Sequence, residues 1–220
     1  MKASMSGLVI NVHQGLGDQI ECQGIVRHYA ERYDSVYLLC TQPHNLEALR
    51  FMYRDNPSIQ VVTQEETERI PQVGLQGLDL HGFAFDGNNA AMKFYKAAGV
   101  PFEFRKEKFY LERDEEAEKE TLAQLNPTGE DFIFVHDDPV RGYNINIDTD
   151  LKIIRNTPHV AFFSMLGVIE KAKEIHCMSS SYFCLLDCMP DDEFDAPKFY
   201  HNLREVNLDG GGMQGKWTYV

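Results

Sequence analysis

The tightest constraint on this chain is an alternation of buried strand and amphipathic helix. Residues 8–12 (LVINV) form an apolar, β-branched run that stops abruptly at His13-Gln14-Gly15-Leu16-Gly17-Asp18. A run without polar alternation reads as a strand covered on both faces. Cys22, Ile25, Val26, Tyr29, Ala30 and Tyr33 then recur at the three-and-four spacing of one apolar helical stripe. Residues 35–40 (SVYLLC) predict a second strand and 46–53 a helix, with Pro57 as the stop signal. Residues 59–63 (IQVVT) predict a third strand. Strand–helix–strand–helix–strand is the pattern of a parallel sheet with crossover helices.

A second block of the same kind follows. Residues 71–89 hold Gly74, Gly77, Gly82 and Gly87 and predict an irregular stretch. Residues 89–98 predict a short helix, and 113–125 a charged helix with a mostly solvated face, ended by Asn126-Pro127-Thr128-Gly129. Residues 131–136 (DFIFVH), 151–154 (LKII) and 174–178 (EIHCM) predict strands, with an amphipathic helix over 160–173. Ser179-Ser180-Ser181 opens a helix over 182–188, and 197–200 is a last strand. The expected fold class is α/β: two small units with parallel sheets and helices on both faces, divided into residues 1–112 and 113–220.

Composition narrows the functions. Lysine and arginine number 21 against 34 aspartates and glutamates, a formal net charge of −13. Nucleic-acid and anionic-membrane binders draw their affinity from neutralising phosphate, so neither is expected. No apolar run approaches the roughly 20 residues that span a bilayer. Residues 1–7 carry one lysine and no apolar core, so no signal peptide is expected and the protein reads as cytoplasmic. The five cysteines are odd in number and lack CxxC spacing, the mark of reduced core thiols rather than a metal site.

Chemistry-bearing residues gather at three strand ends. Gly15, Gly17 and Asp18 lie between the first strand and its helix, where free N–H groups and a partial positive charge suit an anion or hold a carboxylate. The dinucleotide fingerprint would need a glycine where Ile20 stands, and a P-loop would need its lysine. His136, Asp137, Asp138 and Arg141 follow the strand at 131–136, either as a site or as a charged loop closed by its own Asp–Arg pair. Ser179, Ser180 and Ser181 suit a diphosphate cradle or a simple helix cap. Asp148-Thr149-Asp150 spells a metal–diphosphate motif, at a frequency expected by chance in so acidic a chain.

These stations, in order, resemble the nucleotide-sugar glycosyltransferases of the GT-B fold, and most of all the lipopolysaccharide-type, heptosyltransferase-like enzymes, in a shortened form. Residues 13–20 (HQGLGDQI) are similar to the family's opening strand–loop, whose glycine–aspartate pair starts the first helix. Residues 109–125 (FYLERDEEAEKETLAQL) resemble its interdomain segment, an aromatic strand followed by a glutamate-rich helix. Residues 168–186 (VIEKAKEIHCMSSSYFCLL) resemble the late segment lining the donor pocket.

The resemblance implies two Rossmann-like domains facing across a cleft, residues 1–112 on the acceptor side and 113–220 on the nucleotide-sugar side. It implies transfer of a sugar from a nucleotide-sugar to a hydroxyl of a glycan or glycolipid acceptor, as in lipopolysaccharide biosynthesis, with no bound cofactor and no metal. Asp18 matches the family's glycine–aspartate position and would be the general base. His13 would share that role or orient the acceptor. Gly15, Gly17, His136, Arg141, Ser179, Ser180 and Ser181 would hold the donor, Arg141 facing the departing diphosphate. Cations near the donor are otherwise sparse: Lys152 and Arg155. A non-catalytic nucleotide- or sugar-binding module of the same descent is the alternative, and association into a homo-oligomer is open for units this small.

Overall fold

The computed structural model describes residues 7–12, 15–83, 89–206 and 213–220. The chain forms two compact units, residues 1–112 with 207–214 and residues 113–206 with 215–220.

The first unit contains β1 (Gly7–Asn11), α1 (Leu16–Glu21), α2 (Gln23–Ala30), β2 (Val36–Leu39), α3 (Leu46–Met52), β3 (Ile59–Val62), α4 (Gln64–Thr67), β4 (Leu75–Asp79), α5 (Ala90–Ala98) and α6 (Phe104–Glu107). Its parallel sheet runs β3-β2-β1-β4, so β1 is paired on both sides. Leu8 and Ile10 are buried there, as the unalternating sequence predicts. The stripe from Cys22 onward runs along α2, with Cys22 itself the break between α1 and α2, and Ile20, Cys22, Ile25 and Val26 are all fully buried. Gly24 is required where α2 meets α6, because a Cβ there would stand 2.1 Å from the Phe104 carbonyl oxygen. Glu21 and the fully buried Arg105 form a two-pronged ion pair, with Nη2 to Oε1 at 2.7 Å.

Two expectations change in this unit. The stretch 71–89 is not wholly irregular, because Leu75–Asp79 is a strand parallel to β1. It is an edge strand whose central Gly77 meets nothing within 4 Å, so the sequence pattern that side-chain packing would impose is missing. Conversely, the aromatic strand expected near 109–113 is absent. Side chains replace the ladder: Gln23 both donates to and accepts from the Tyr110 backbone at 3.0 and 2.8 Å, and Arg54 donates to the Glu112 carbonyl at 2.9 Å.

The second unit contains α7 (Glu115–Leu125), β5 (Phe132–His136), β6 (Lys152–Arg155), α8 (Leu166–Lys171), β7 (Ile175–Met178), α9 (Ser181–Cys188), β8 (Lys198–His201) and β9 (Thr218–Tyr219). Its sheet runs β6-β5-β7-β8-β9, parallel throughout. The helix expected over 160–173 is shorter, a 3₁₀ turn at Phe163–Met165 leading into α8. The β5–β6 crossover carries only the 3₁₀ turn Pro139–Arg141, and Ile145 from it packs on Ile133, Val135 and Met178. α7 is tied down rather than simply solvated: Arg113 bonds Glu118, Glu170 and Glu193, and Glu118 is buried. The tail strand β9 was not legible; it follows Trp217, whose indole donates at 3.0 Å to the fully buried Asp187. Cys22, Cys40, Cys177 and Cys188 are buried, and Cys184 is partly so.

Candidate functional site

An open parallel sheet gathers ligands outside the carboxyl ends of its strands, where neighbouring connections leave in opposite directions. In the second unit that point lies between β5 and β7: the chain leaves β5 toward β6 and leaves β7 toward β8. β5 ends on His136, and Ser179 follows β7.

His136 Nδ1 and Ser180 Oγ stand 2.8 Å apart across this junction. Ser180 also caps α9, accepting the Phe183 N–H at 3.3 Å. Ser180 still has its hydrogen to donate, and when it donates that hydrogen to His136 Nδ1 the hydrogen of the neutral ring sits on Nε2. Burial drives the His136 pKa down to about 4, against the opposing pull of the Asp137 and Asp138 carboxylates. At neutral pH the ring is therefore an uncharged donor through Nε2. Tyr182 packs its ring against His136 at 4.8 Å, stacks on Phe162 at 4.2 Å and donates to the Phe162 carbonyl at 3.0 Å. Burial pushes its phenol up, so it stays protonated.

The charged loop is mostly closed on itself. Arg141 is 68% exposed, and its Nη1 lies 3.5 Å from Asp138 Oδ2. Asp138 also caps the 3₁₀ turn, accepting the Arg141 N–H at 3.3 Å. Asp137 is buried, accepts the Ile145 N–H at 3.0 Å and faces Arg155 Nε at 3.4 Å. Lys152 opens β6, at the amino edge of the sheet, where its ammonium donates to the Leu125 carbonyl and to Asn126. It is therefore no neighbour of the candidate donor site. The cation at the β7–α9 turn is instead Arg204, which donates to the Ser179 carbonyl at 3.3 Å. Ser181 opens α9 and is half-buried. Asp148 and Asp150 lie in the long β5–β6 crossover, outside any helix or strand.

In the first unit the corresponding point lies between β1 and β4. Gly15 is the N-cap of α1 with φ −68°, Gly17 lies inside the helix, and neither takes the left-handed conformation that favours glycine. Asp18 stands in the first turn of α1, half-buried. His13 lies outside the described residues. Beside them, Asn11 at the end of β1 donates to Asp79 Oδ1 at the end of β4 (3.0 Å), which also accepts the His81 N–H at 3.0 Å. Asp79 escaped the sequence reading because β4 itself did. Among the described residues, no three histidine, cysteine or carboxylate side chains converge as metal ligands.

Two parallel α/β sheets in tandem, each with polar residues at its switch in strand order, match the fold of GT-B glycosyltransferases. No family model matches the sequence, and no curated protein matches it. Among solved structures the chain is similar to a glycosyl transferase family 9 protein from Veillonella parvula DSM 2008, with a TM-score of 0.57 and 11% identity over 100% of this chain and 88% of that one. It is also similar to the E. coli ADP-heptose lps heptosyltransferase II, with a TM-score of 0.54 and 12% identity over 98% of this chain and 90% of that one. At such identities the likeness is one of fold. No helix among the described residues is long and apolar enough to cross a membrane.

Proposed function

We propose that the protein is a glycosyltransferase that moves a sugar from a nucleotide-sugar to a hydroxyl of a glycan or glycolipid acceptor, without a bound metal and in the cytoplasm. The observation that carries this reading is the His136–Ser180 junction at the β5–β7 switch point, on a glycosyltransferase fold. In this account the second unit holds the donor. His136 Nε2 and the hydroxyls of Ser179 and Ser181 supply neutral hydrogen bonds, and Ser180 keeps His136 in the donating tautomer. Arg141 and Arg204 supply the counter-charge for the departing diphosphate. Asp18 in the first unit takes the proton of the acceptor hydroxyl, with Gly15 and Gly17 leaving the first turn of α1 free of side chains beside it.

A second reading has its own support. Arg141 and Arg155 each face an aspartate, which leaves the donor side little net positive charge and suits a binding module that retains a nucleotide or sugar without turnover. A thermal-shift panel of nucleoside diphosphates tests the shared premise of both. A ligand at 100 times its Kd stabilises by roughly 2.7 kcal/mol, and at least one base should do so. A panel without any shift removes the transferase and the nucleotide-binding module and leaves only a module that binds sugar.

A further inference from the structure

A second histidine pair joins His176, inside β7, to His201 at the carboxyl end of β8, and the donor reading above does not use it. His176 on β7 stacks on Phe199 of β8 with ring centroids 4.6 Å apart. Its Nε2 lies 3.0 Å from Glu174 Oε2, and its Nδ1 lies 2.9 Å from His201 Nε2. His176 is only 5% exposed, whereas His201, the last residue of β8, is partly open to solvent. His201 Nδ1 has no hydrogen-bond partner among the described residues.

Proton accounting fixes the direction of this chain. The Glu174 carboxylate can only accept, so His176 Nε2 carries a hydrogen. A neutral imidazole with its hydrogen on Nε2 is a bare acceptor at Nδ1, so across the 2.9 Å contact His201 Nε2 supplies the second hydrogen. His201 then presents a lone pair at Nδ1. Burial and the neighbouring His176 together drive its pKa down to about 4, which keeps that lone pair unprotonated at neutral pH. A bare nitrogen acceptor attracts a hydroxyl hydrogen and repels a phosphate oxygen.

We propose that Glu174 and His176 position His201 as a hydrogen-bond-accepting subsite for a hydroxyl of the nucleotide-sugar, and that His201 is not a phosphate contact. The inference rests on the donor reading of the second unit and adds to it the part of the ligand read at β8. The hydroxyl belongs to the ribose or to the transferred sugar, and the two are separable by experiment.

The test joins long-range proton–nitrogen NMR of the full chain with binding measurements. The His201 ring is assigned through the loss of its signals in His201→Leu. Nδ1 should be unprotonated and Nε2 protonated in the free protein. Binding is then compared for nucleoside diphosphates, their 2′-deoxy counterparts and nucleotide-sugars. His201→Leu should lose roughly two- to tenfold in affinity only for ligands that carry the recognised hydroxyl. Loss of the ribo-over-deoxy preference assigns the ribose, and loss confined to nucleotide-sugars assigns the transferred sugar. D-ribose and methyl glucoside serve as probes free of phosphate, and one of them should shift the Nδ1 signal even if every nucleotide fails to bind. That last pattern would sink the nucleotide-sugar reading while leaving the hydroxyl subsite standing. A hydrogen on Nδ1, an equal loss for all ligands, no loss for any, or no shift with either sugar would overturn the subsite.

Discussion

His136 Nδ1 lies 2.8 Å from Ser180 Oγ, and this one bond joins the ends of two neighbouring parallel strands. The serine that caps α9 thereby also engages Nδ1 of the histidine and leaves Nε2 as the nitrogen open to a ligand. The helix cap and the proposed donor contact share a residue here, so one mutation removes both.

Ser180→Ala removes the cap and the bond to His136 Nδ1 together. Loss of an N-cap costs about 1 kcal/mol, so urea unfolding should show a decrease of that size. Nucleoside diphosphate affinity should fall more in Ser180→Ala than in Arg141→Ala. The exposed Arg141 pairs with Asp138 through solvent-screened contacts, so its removal is expected to cost less than about fivefold. Calorimetry on the two variants ranks them.

His136 gives the fold a pH dependence of known sign. Its pKa is about 4 in the folded protein, below the usual histidine value, so between pH 6.5 and 4 the unfolded chain binds the proton that the folded one refuses. Stability therefore falls as the pH drops through that window and flattens below it. Between pH 6.5 and 5 the loss assignable to this group is up to about 2 kcal/mol. Chemical denaturation of wild type and His136→Gln at both pH values should show the shallower decline in the variant.

The Glu21–Arg105 pair is a costly contact to break. Arg105 is fully buried, and Glu21→Ala removes both carboxylate prongs of this pair. Removing one partner of a buried ion pair costs about 3–5 kcal/mol. Glu31→Ala is the contrasting control: Glu31 is exposed beside Lys108, so its removal should change stability by less than about 1 kcal/mol. Equal effects in denaturant titrations would contradict this ordering.

Gly24→Ala tests the α2–α6 contact by close packing alone. The added methyl would meet the Phe104 carbonyl and the Tyr95 hydroxyl oxygen at 2.1 and 2.5 Å. Backbone must move, and overpacking of this kind costs roughly 1–3 kcal/mol or more. The melting temperature reports it.

What the sequence made legible follows from where side chains are packed. β1, β2, β3, β5 and β7 are buried, apolar and β-branched or aromatic, and they stand within a residue or two of their predicted bounds. β4 and β9 are edge strands held largely by backbone bonds and by a few polar anchors such as Asp187, and neither leaves a periodic signature. The segment after Lys108 failed in the opposite sense: Phe109 and Tyr110 look like strand residues, yet Gln23 and Arg27 satisfy the Tyr110 backbone from a helix far away in sequence. At the candidate site, His136 and Ser180 were separately visible at strand ends, but their pairing depends on β5 and β7 being neighbours. Lys152 lies at the amino end of β6, which its proximity in sequence to Arg141 and Arg155 does not reveal. The His176–His201 chain was hidden for the same reason, since its members are brought together by strand register alone.

The measurement closest to the central claim is release of nucleoside diphosphate from nucleotide-sugars by the wild-type chain and by Asp18→Asn. Asparagine keeps the shape of Asp18 and cannot take the acceptor proton. Positioned general-base catalysis contributes typically ~10²–10⁴-fold, so the variant should turn over slower by about that factor while binding the donor with little change. Turnover at the same rate in both proteins would remove Asp18 from the reaction. Binding without turnover in either, with any acceptor, would contradict transfer itself and leave the binding module as the function.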